Sequence, residues 1–195
     1  MAVVLAAGAG RRMGGPKALL RVGGESFLAR AGRVLARPGV AFTLAVIGHQ
    51  AERVAAEAAA PEPVALLVNG GYEAGMLSSI LLGLDAAEAR GADAVLLHPV
   101  DHPLVAPETV DRVVAALREG AVVAVPTHGP RRGHPGGFAR ASWAALRAAP
   151  PERGARAVLA EHPEWVVHVP GDPFCVAGIE TPADYERWIE GAVSP

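Results

Sequence analysis

The chain has little cysteine, no excess of charge of either sign and no long apolar run, and each shortage removes a class of explanation. Cys175 is the single cysteine in 195 residues, so an intramolecular disulfide and a cysteine-rich zinc site are both excluded. No stretch approaches the roughly 20 apolar residues that a membrane-spanning helix needs. The apolar start at residues 2–5 has no preceding basic region, because Arg11 and Arg12 lie downstream of it. It is expected to be a buried strand, not a signal peptide. A formal net charge of -2 gives no general attraction to nucleic acid or to an anionic membrane, so neither is an expected partner. What remains is a soluble protein suited to the reducing cytoplasm.

What the chain does have is apolar content, 51% of residues, much of it alanine. Helices should form readily and pack closely. Short apolar runs predict strands at 2–6, 42–47, 65–68, 94–98, 122–126 and 165–169. Longer alanine-rich stretches predict helices at 26–36, 51–59, 77–89, 107–118, 140–148, 155–161 and 182–190. Pro107 and Pro182 suit the first turn of a helix, and acidic residues follow each where the dipole favours them. This alternation predicts an α/β fold: one domain over 1–195, a Rossmann-like three-layer αβα sandwich with a mostly parallel sheet. Such sheets bind ligands beyond the carboxyl ends of their strands. Three unusual segments follow the first, third and fourth strands: 5–17, 69–79 and 99–103. They should therefore gather at one sheet edge.

The chemistry of those segments is that of phosphate and metal. Gly8, Gly10, Gly14 and Gly15 let backbone N–H groups approach phosphate oxygens, while Arg11, Arg12 and Lys17 offset the charge. Neither G-x-x-x-x-G-K-[ST] nor G-x-G-x-x-G is present, since Lys17 follows a proline and three residues separate Gly10 from Gly14. A solvated basic loop with glycines for turns is the plain alternative. Gly75, Ser78 and Ser79 read as a loop running into a helix, able to bind a polar ligand or to cap that helix. Asp101, just past an apolar strand, suits Mg²⁺, or else the cap of a helix near Pro107. Arg131, Arg132 and His134 suit a phosphorylated acceptor, or else an exposed hairpin loop. His98 and His102 are four apart, but the prolines nearby exclude a helical zinc-binding face.

The pattern Leu5-Ala-Ala-Gly-x-Gly-x-Arg-Met-Gly-x-Pro-Lys17 resembles the opening motif of MobA-like NTP transferases, and specifically of the molybdenum cofactor cytidylyltransferase (MocA-like) branch. Only Gly14 and Gly15 separate Arg12-Met13 from Pro16-Lys17, and Ala7 and Pro16 stand where the guanylyl-transferring relatives differ. Gly75-Met-Leu-Ser-Ser79, Pro99-Val-Asp-His-Pro103, Arg132-Gly-His-Pro135 and Gly154-Ala-Arg156 are similar to later motifs of the same family, in the same order. The resemblance implies a fold of the nucleotide-diphospho-sugar transferase type. It implies nucleotide binding by Leu5, Ala6, Ala7, Gly8, Gly10, Arg11, Lys17, Asn69, Gly75, Ser78 and Ser79. Arg12, Lys17 and Asp101 would be catalytic, and Arg132, His134 and Arg156 would bind the acceptor. Mg²⁺ would sit on Asp101 and Glu180.

The implied reaction moves CMP from CTP to a phosphorylated acceptor, molybdopterin, with release of pyrophosphate. A molybdoenzyme or its chaperone would receive the product. Three departures stand out: Leu77 replaces a small polar residue, and Gly178 and Glu180 replace two aspartates near the metal. They keep open a GTP-using or sugar-phosphate transferase and a noncatalytic protein that binds nucleotide and delivers cofactor. A dinucleotide-dependent oxidoreductase is disfavoured by the glycine spacing.

Overall fold

The computed structural model describes residues 1–58 and 64–190. Its strands are β1 (Ala2–Ala6), β2 (Arg21–Val22), β3 (Glu25–Ser26), β4 (Thr43–Ile47), β5 (Val64–Val68), β6 (Ala94–Pro99), β7 (Val123–His128), β8 (Arg131–Arg132), β9 (Gly136–Ala139) and β10 (Val166–Pro170). Its helices are α1 (Phe27–Leu35), α2 (Ala51–Glu57), α3 (Met76–Ala89), α4 (Pro107–Arg118), α5 (Trp143–Ala148), α6 (Ala155–Glu161) and α7 (Pro182–Tyr185).

The main sheet has the order β10-β7-β9-β6-β1-β4-β5, with β8 paired to β7, while β2 and β3 form a separate ribbon. Strand β1 lies parallel between β4 and β6, and β5 and β10 extend the parallel pairing at the two edges. It is buried on both faces. Val4 and Ala6 pack in the layer of α1 and α4; Val3 and Leu5 pack in the layer of α3, α5 and α6. Val3 and Val4 are wholly inaccessible, and each such side chain stabilises the fold by about 1.5–3 kcal/mol. A three-layer α/β sandwich results, as the apolar rhythm predicts.

Four strands were not anticipated: the two-residue β2, β3 and β8, and β9 inside the main sheet. Strand β9 runs antiparallel between β6 and β7, in a stretch that reads as loop because it begins with two glycines. At Gly137 an added Cβ would sit 2.7 Å from Leu117 Cδ1 and 2.8 Å from Val113 Cγ1, both on α4. The close approach of that helix demands glycine and hides the strand.

Helix ends differ from expectation by local chemistry. Ser26 is the N-cap of α1, its hydroxyl accepting from the Ala29 N–H, so the helix proper begins at Phe27. Arg140–Ser142 is a 3₁₀ turn ahead of α5, and α7 passes into a π-turn over Glu186–Glu190. Helix α2 is helical to Glu57; Ala59, the expected last residue, lies outside the described residues. Prolines open α4 and α7 as expected, with Glu108 and Asp184 in their first turns.

Strand register positions the site. Ala6 aligns with Ile47, Ile47 with Val68, and Leu5 with Pro99. The chain therefore leaves β1, β4, β5 and β6 at one edge, and the unusual segments meet there.

Candidate active site

A cavity of about 390 Å³ opens at that edge. Its wall takes Leu5, Ala6, Ala7, Gly8, Gly10, Arg11, Arg12 and Lys17 from the first loop, Gly75 and Ser79 from the second and Asp101 from the third. Glu180 closes it from the C-terminal segment. Gly10 makes the first loop possible. It has φ 58°, and a Cβ there would fall 1.9 Å from the Gly15 carbonyl oxygen. The Met13 and Gly15 N–H groups both donate to the Gly10 carbonyl, folding the loop back so that its cations face one space. The N–H groups of Gly8 and Gly10 take no part in the loop's own backbone hydrogen bonds.

Four of the five charged side chains on this wall are paired with one another; the fifth, Arg11, forms no ion pair among the described residues. Lys17 Nζ lies 2.7 Å from Asp101 Oδ2, with side chains 16% and 22% exposed. Arg12 lies 2.7 Å from Glu180, and both side chains are half-exposed or more. Asp101 does not cap α4. The Ala106 N–H and the Thr109 hydroxyl donate instead to Asp172, leaving the Asp101 carboxylate facing the cavity. Its backbone carbonyl accepts from the Ile179 N–H at 2.8 Å, which ties the C-terminal segment to the loop after β6. Among the described residues no group of three or more His, Cys, Asp or Glu is arranged to hold a metal ion. A cation at Asp101 would thus draw its remaining oxygens from phosphate and water, the habit of Mg²⁺.

Gly178, one of the three departures, lies against His102. A Cβ on Gly178 would stand 3.2 Å from His102 Nε2, so the imidazole occupies space that a larger residue at 178 would use. His102 is lowered below the ordinary histidine range, chiefly by burial, and its Nδ1 is buried without a partner.

Asn69 and Ser78 are off the cavity wall. The Asn69 amide donates to both Ser78 and Ser79 hydroxyls and its carbonyl accepts from the Gly71 N–H, which braces the turn from β5 into α3. Ser78 donates back to the Gly75 carbonyl, and α3 has no side-chain cap. Tyr72, Met76, Pro99 and Val100 line the cavity although sequence reasoning passed over them. Tyr72 alone had a signal, an aromatic ring set among glycines; its hydroxyl meets His49 Nδ1 at 3.1 Å.

A second cavity, about 360 Å³, adjoins the first and shares Leu5, Met76 and Pro99 with it. Arg132, His134 and Arg156 line it, over an apolar floor that includes Ile80, Leu97, Val125, Phe138 and Leu159. Arg156, from a separate segment, thus converges with the neighbouring Arg132 and His134. Among the described residues no acidic side chain lines this cavity. His134 Nδ1 is buried without a partner, and desolvation, then the neighbouring His102, lower its pKa.

Comparison with known proteins shows the family and the fold. Residues 2–166 match the model of the MobA-like NTP transferase domain. The bifunctional protein GlmU of Azorhizobium caulinodans is 37% identical over 142 residues, covering 72% of this chain. The chain spans only 31% of that relative's length. The 2-C-methyl-D-erythritol 4-phosphate cytidylyltransferase of Cereibacter sphaeroides is 40% identical over 132 residues, 64% of this chain and 57% of that one. Nicotine blue oxidoreductase of Paenarthrobacter nicotinovorans is 36% identical over 140 residues, 68% of this chain and 67% of that one. Among solved structures, Rv0371c of Mycobacterium tuberculosis H37Rv in complex with manganese superposes with a TM-score of 0.78 at 26% identity, covering 97% of both chains.

Proposed function

We propose that this chain, which belongs to the MobA-like NTP transferase family, transfers CMP from CTP to a phosphorylated acceptor of the molybdopterin type. The observation that carries the reading is the shared wall of the two cavities. A triphosphate beside Arg12 and Lys17 and an anion beside Arg132 and Arg156 would meet across Leu5, Met76 and Pro99. The similarity to a cytidylyltransferase supports the choice of base.

An acceptor phosphate oxygen attacks the α-phosphorus of CTP in line. The bond to the bridging oxygen breaks as the new phosphoanhydride forms, and pyrophosphate leaves with the electron pair. No side-chain nucleophile is needed; such catalysis is positioning and charge stabilisation. Gly8 and Gly10 present N–H groups, and Arg11, Arg12 and Lys17 hold the phosphates. To do so Lys17 gives up its contact with Asp101. Asp101, a hard oxygen donor on the cavity wall, would hold Mg²⁺, which supplies positive charge beside the reacting phosphates. The manganese complex of the Mycobacterium relative supports a divalent cation. Arg132 and Arg156 orient the acceptor, and a neutral His134 accepts a hydrogen bond from it.

The test is pyrophosphate release with Mg²⁺, molybdopterin and each of CTP, GTP, ATP and UTP. Release selective for CTP is expected. Selective release with GTP would replace the base assignment, and CTP binding without release would favour a protein that only delivers cofactor. The similarity to nicotine blue oxidoreductase gives a redox reading one specific observation; NAD(H) carried through purification would support it.

A further inference from the structure

We propose that Glu180 is a stand-in for a phosphate oxygen: it holds Arg12 over the empty cavity, gives it up to a triphosphate, and so sets how highly charged an entering ligand must be. The inference rests on the nucleotide reading of the first cavity. It assigns Glu180 to Arg12 and not to the metal.

Three observations carry it. First, the carboxylate lies 2.7 Å from the Arg12 guanidinium, the same charge-assisted contact that a phosphate makes with arginine. Second, neither residue has another ion-pair partner among the described residues, so each is committed to the other. Third, the Glu180 backbone cannot follow a change in side-chain length. The Ile179 N–H donates to the Asp101 carbonyl, and Ile179 is fully buried. The Glu180 N–H and the Thr181 N–H both donate to Asp184, within the capping box that starts α7. Residue 180 also lies beyond the matched family region 2–166.

An exposed ion pair is a weak restraint. A ligand that brings several negative charges to Arg12 displaces the carboxylate; one that brings a single charge gains little from the exchange. A glutamate reaches Arg12 from this fixed backbone, whereas an aspartate, one methylene shorter, would meet it only if the Arg12 side chain moved toward it. The length of the glutamate at 180 is therefore matched to Arg12 where it stands.

The test is calorimetric binding of CTP and of CMP without metal, for the wild type, E180Q, E180D, R12A and the double variants E180Q/R12A and E180D/R12A. Pyrophosphate release over a titration of Mg²⁺ accompanies it. Both E180Q and E180D should tighten CTP about two- to fivefold, the reach of an exposed ion pair. CMP should tighten less, and the gain should vanish in the R12A background. The Mg²⁺ concentration for half-maximal release should not move. If E180D behaved as the wild type while E180Q needed more Mg²⁺, Glu180 would be a metal ligand and the proposal would fall. It would also fall if the gain persisted without Arg12, since simple charge repulsion would explain it, or if CMP gained as much as CTP. Failure of the wild type to bind any nucleoside triphosphate would instead remove the nucleotide reading, and this inference with it.

Discussion

The two cavities share a wall yet treat charge in opposite ways. In the first, Lys17 and Arg12 are already matched with Asp101 and Glu180. In the second, Arg132 and Arg156 stand over an apolar floor, and among the described residues no acidic side chain is on the wall and neither arginine forms an ion pair. On the proposed reading the first cavity would bind largely by exchange, with Arg11 alone among its wall cations outside an ion pair among the described residues. Phosphates would take the cations, and a divalent cation the freed carboxylate, so each ligand would make room for the other. The second would bind by capture, since nothing has to leave its cations. Metal and triphosphate should therefore be strongly coupled in the first cavity, while the acceptor should bind alike with or without metal.

The sharpest way to break this comparison is Asp101→Asn. Removing one preorganised charge-stabilising group typically costs about 10²–10³-fold in turnover, and a loss of that order is expected in pyrophosphate release. Metal-free CTP binding should hold or tighten, because Lys17 no longer has a carboxylate to leave. Near-normal turnover would remove Asp101 from the metal role. Weaker metal-free binding would show that the pair does not compete with the triphosphate.

The contrast also explains what the sequence disclosed. Strand β1 was legible because an apolar run buried on both faces has few other fates. Once the parallel order was read, the convergence of the loops after β1, β5 and β6 followed from register. On the proposed acceptor side, Arg132 and His134 stood out as a basic cluster among glycines, whereas Arg156 was reached only through motif resemblance; their convergence on one cavity was hidden, because β9, which follows His134 into the sheet, is concealed by Gly136 and Gly137. The partners of the cations were not legible at all. Arg12 and Glu180 are 168 positions apart by number, and no periodicity encodes a salt bridge formed by a segment returning to the sheet edge. Asn69 shows the converse limit. Its type and place suit a ligand contact, but its amide and carbonyl are both spent on the turn that presents Ser79.

On the capture side the effect should be smaller. Arg156→Ala removes one of two cations from a cavity whose floor is intact, so the acceptor should lose about tenfold in KM, a single charge-assisted hydrogen bond. The KM for CTP should not change, because Arg156 does not line the first cavity. Steady-state kinetics with each substrate varied in turn reads both. An equal rise in the KM for CTP would mean that the cavities act as one site and that exchange and capture are not separable.

The smallest effect should come from a group that belongs to neither cavity. His98 lies on β6, beside Val4 in the strand register, is 1% exposed and has an unpartnered Nδ1. Burial, helped by the nearby His102, lowers its pKa to about 3. With the folded pKa below the unfolded one, the unfolded chain takes up the proton first. The stability held above about pH 6.5 is therefore lost progressively as pH falls toward 3. Between pH 7 and pH 6 this one group should cost about 0.7 kcal/mol, a factor of about three in the folding equilibrium, readable as a difference between urea denaturation curves. In His98→Leu that increment should disappear whatever the variant's absolute stability. The metal-free affinity for CTP, per folded molecule, should stay level over the same range. A matching fall in that affinity would tie His98 to the exchange cavity and would end the separation of site from scaffold on which the comparison depends.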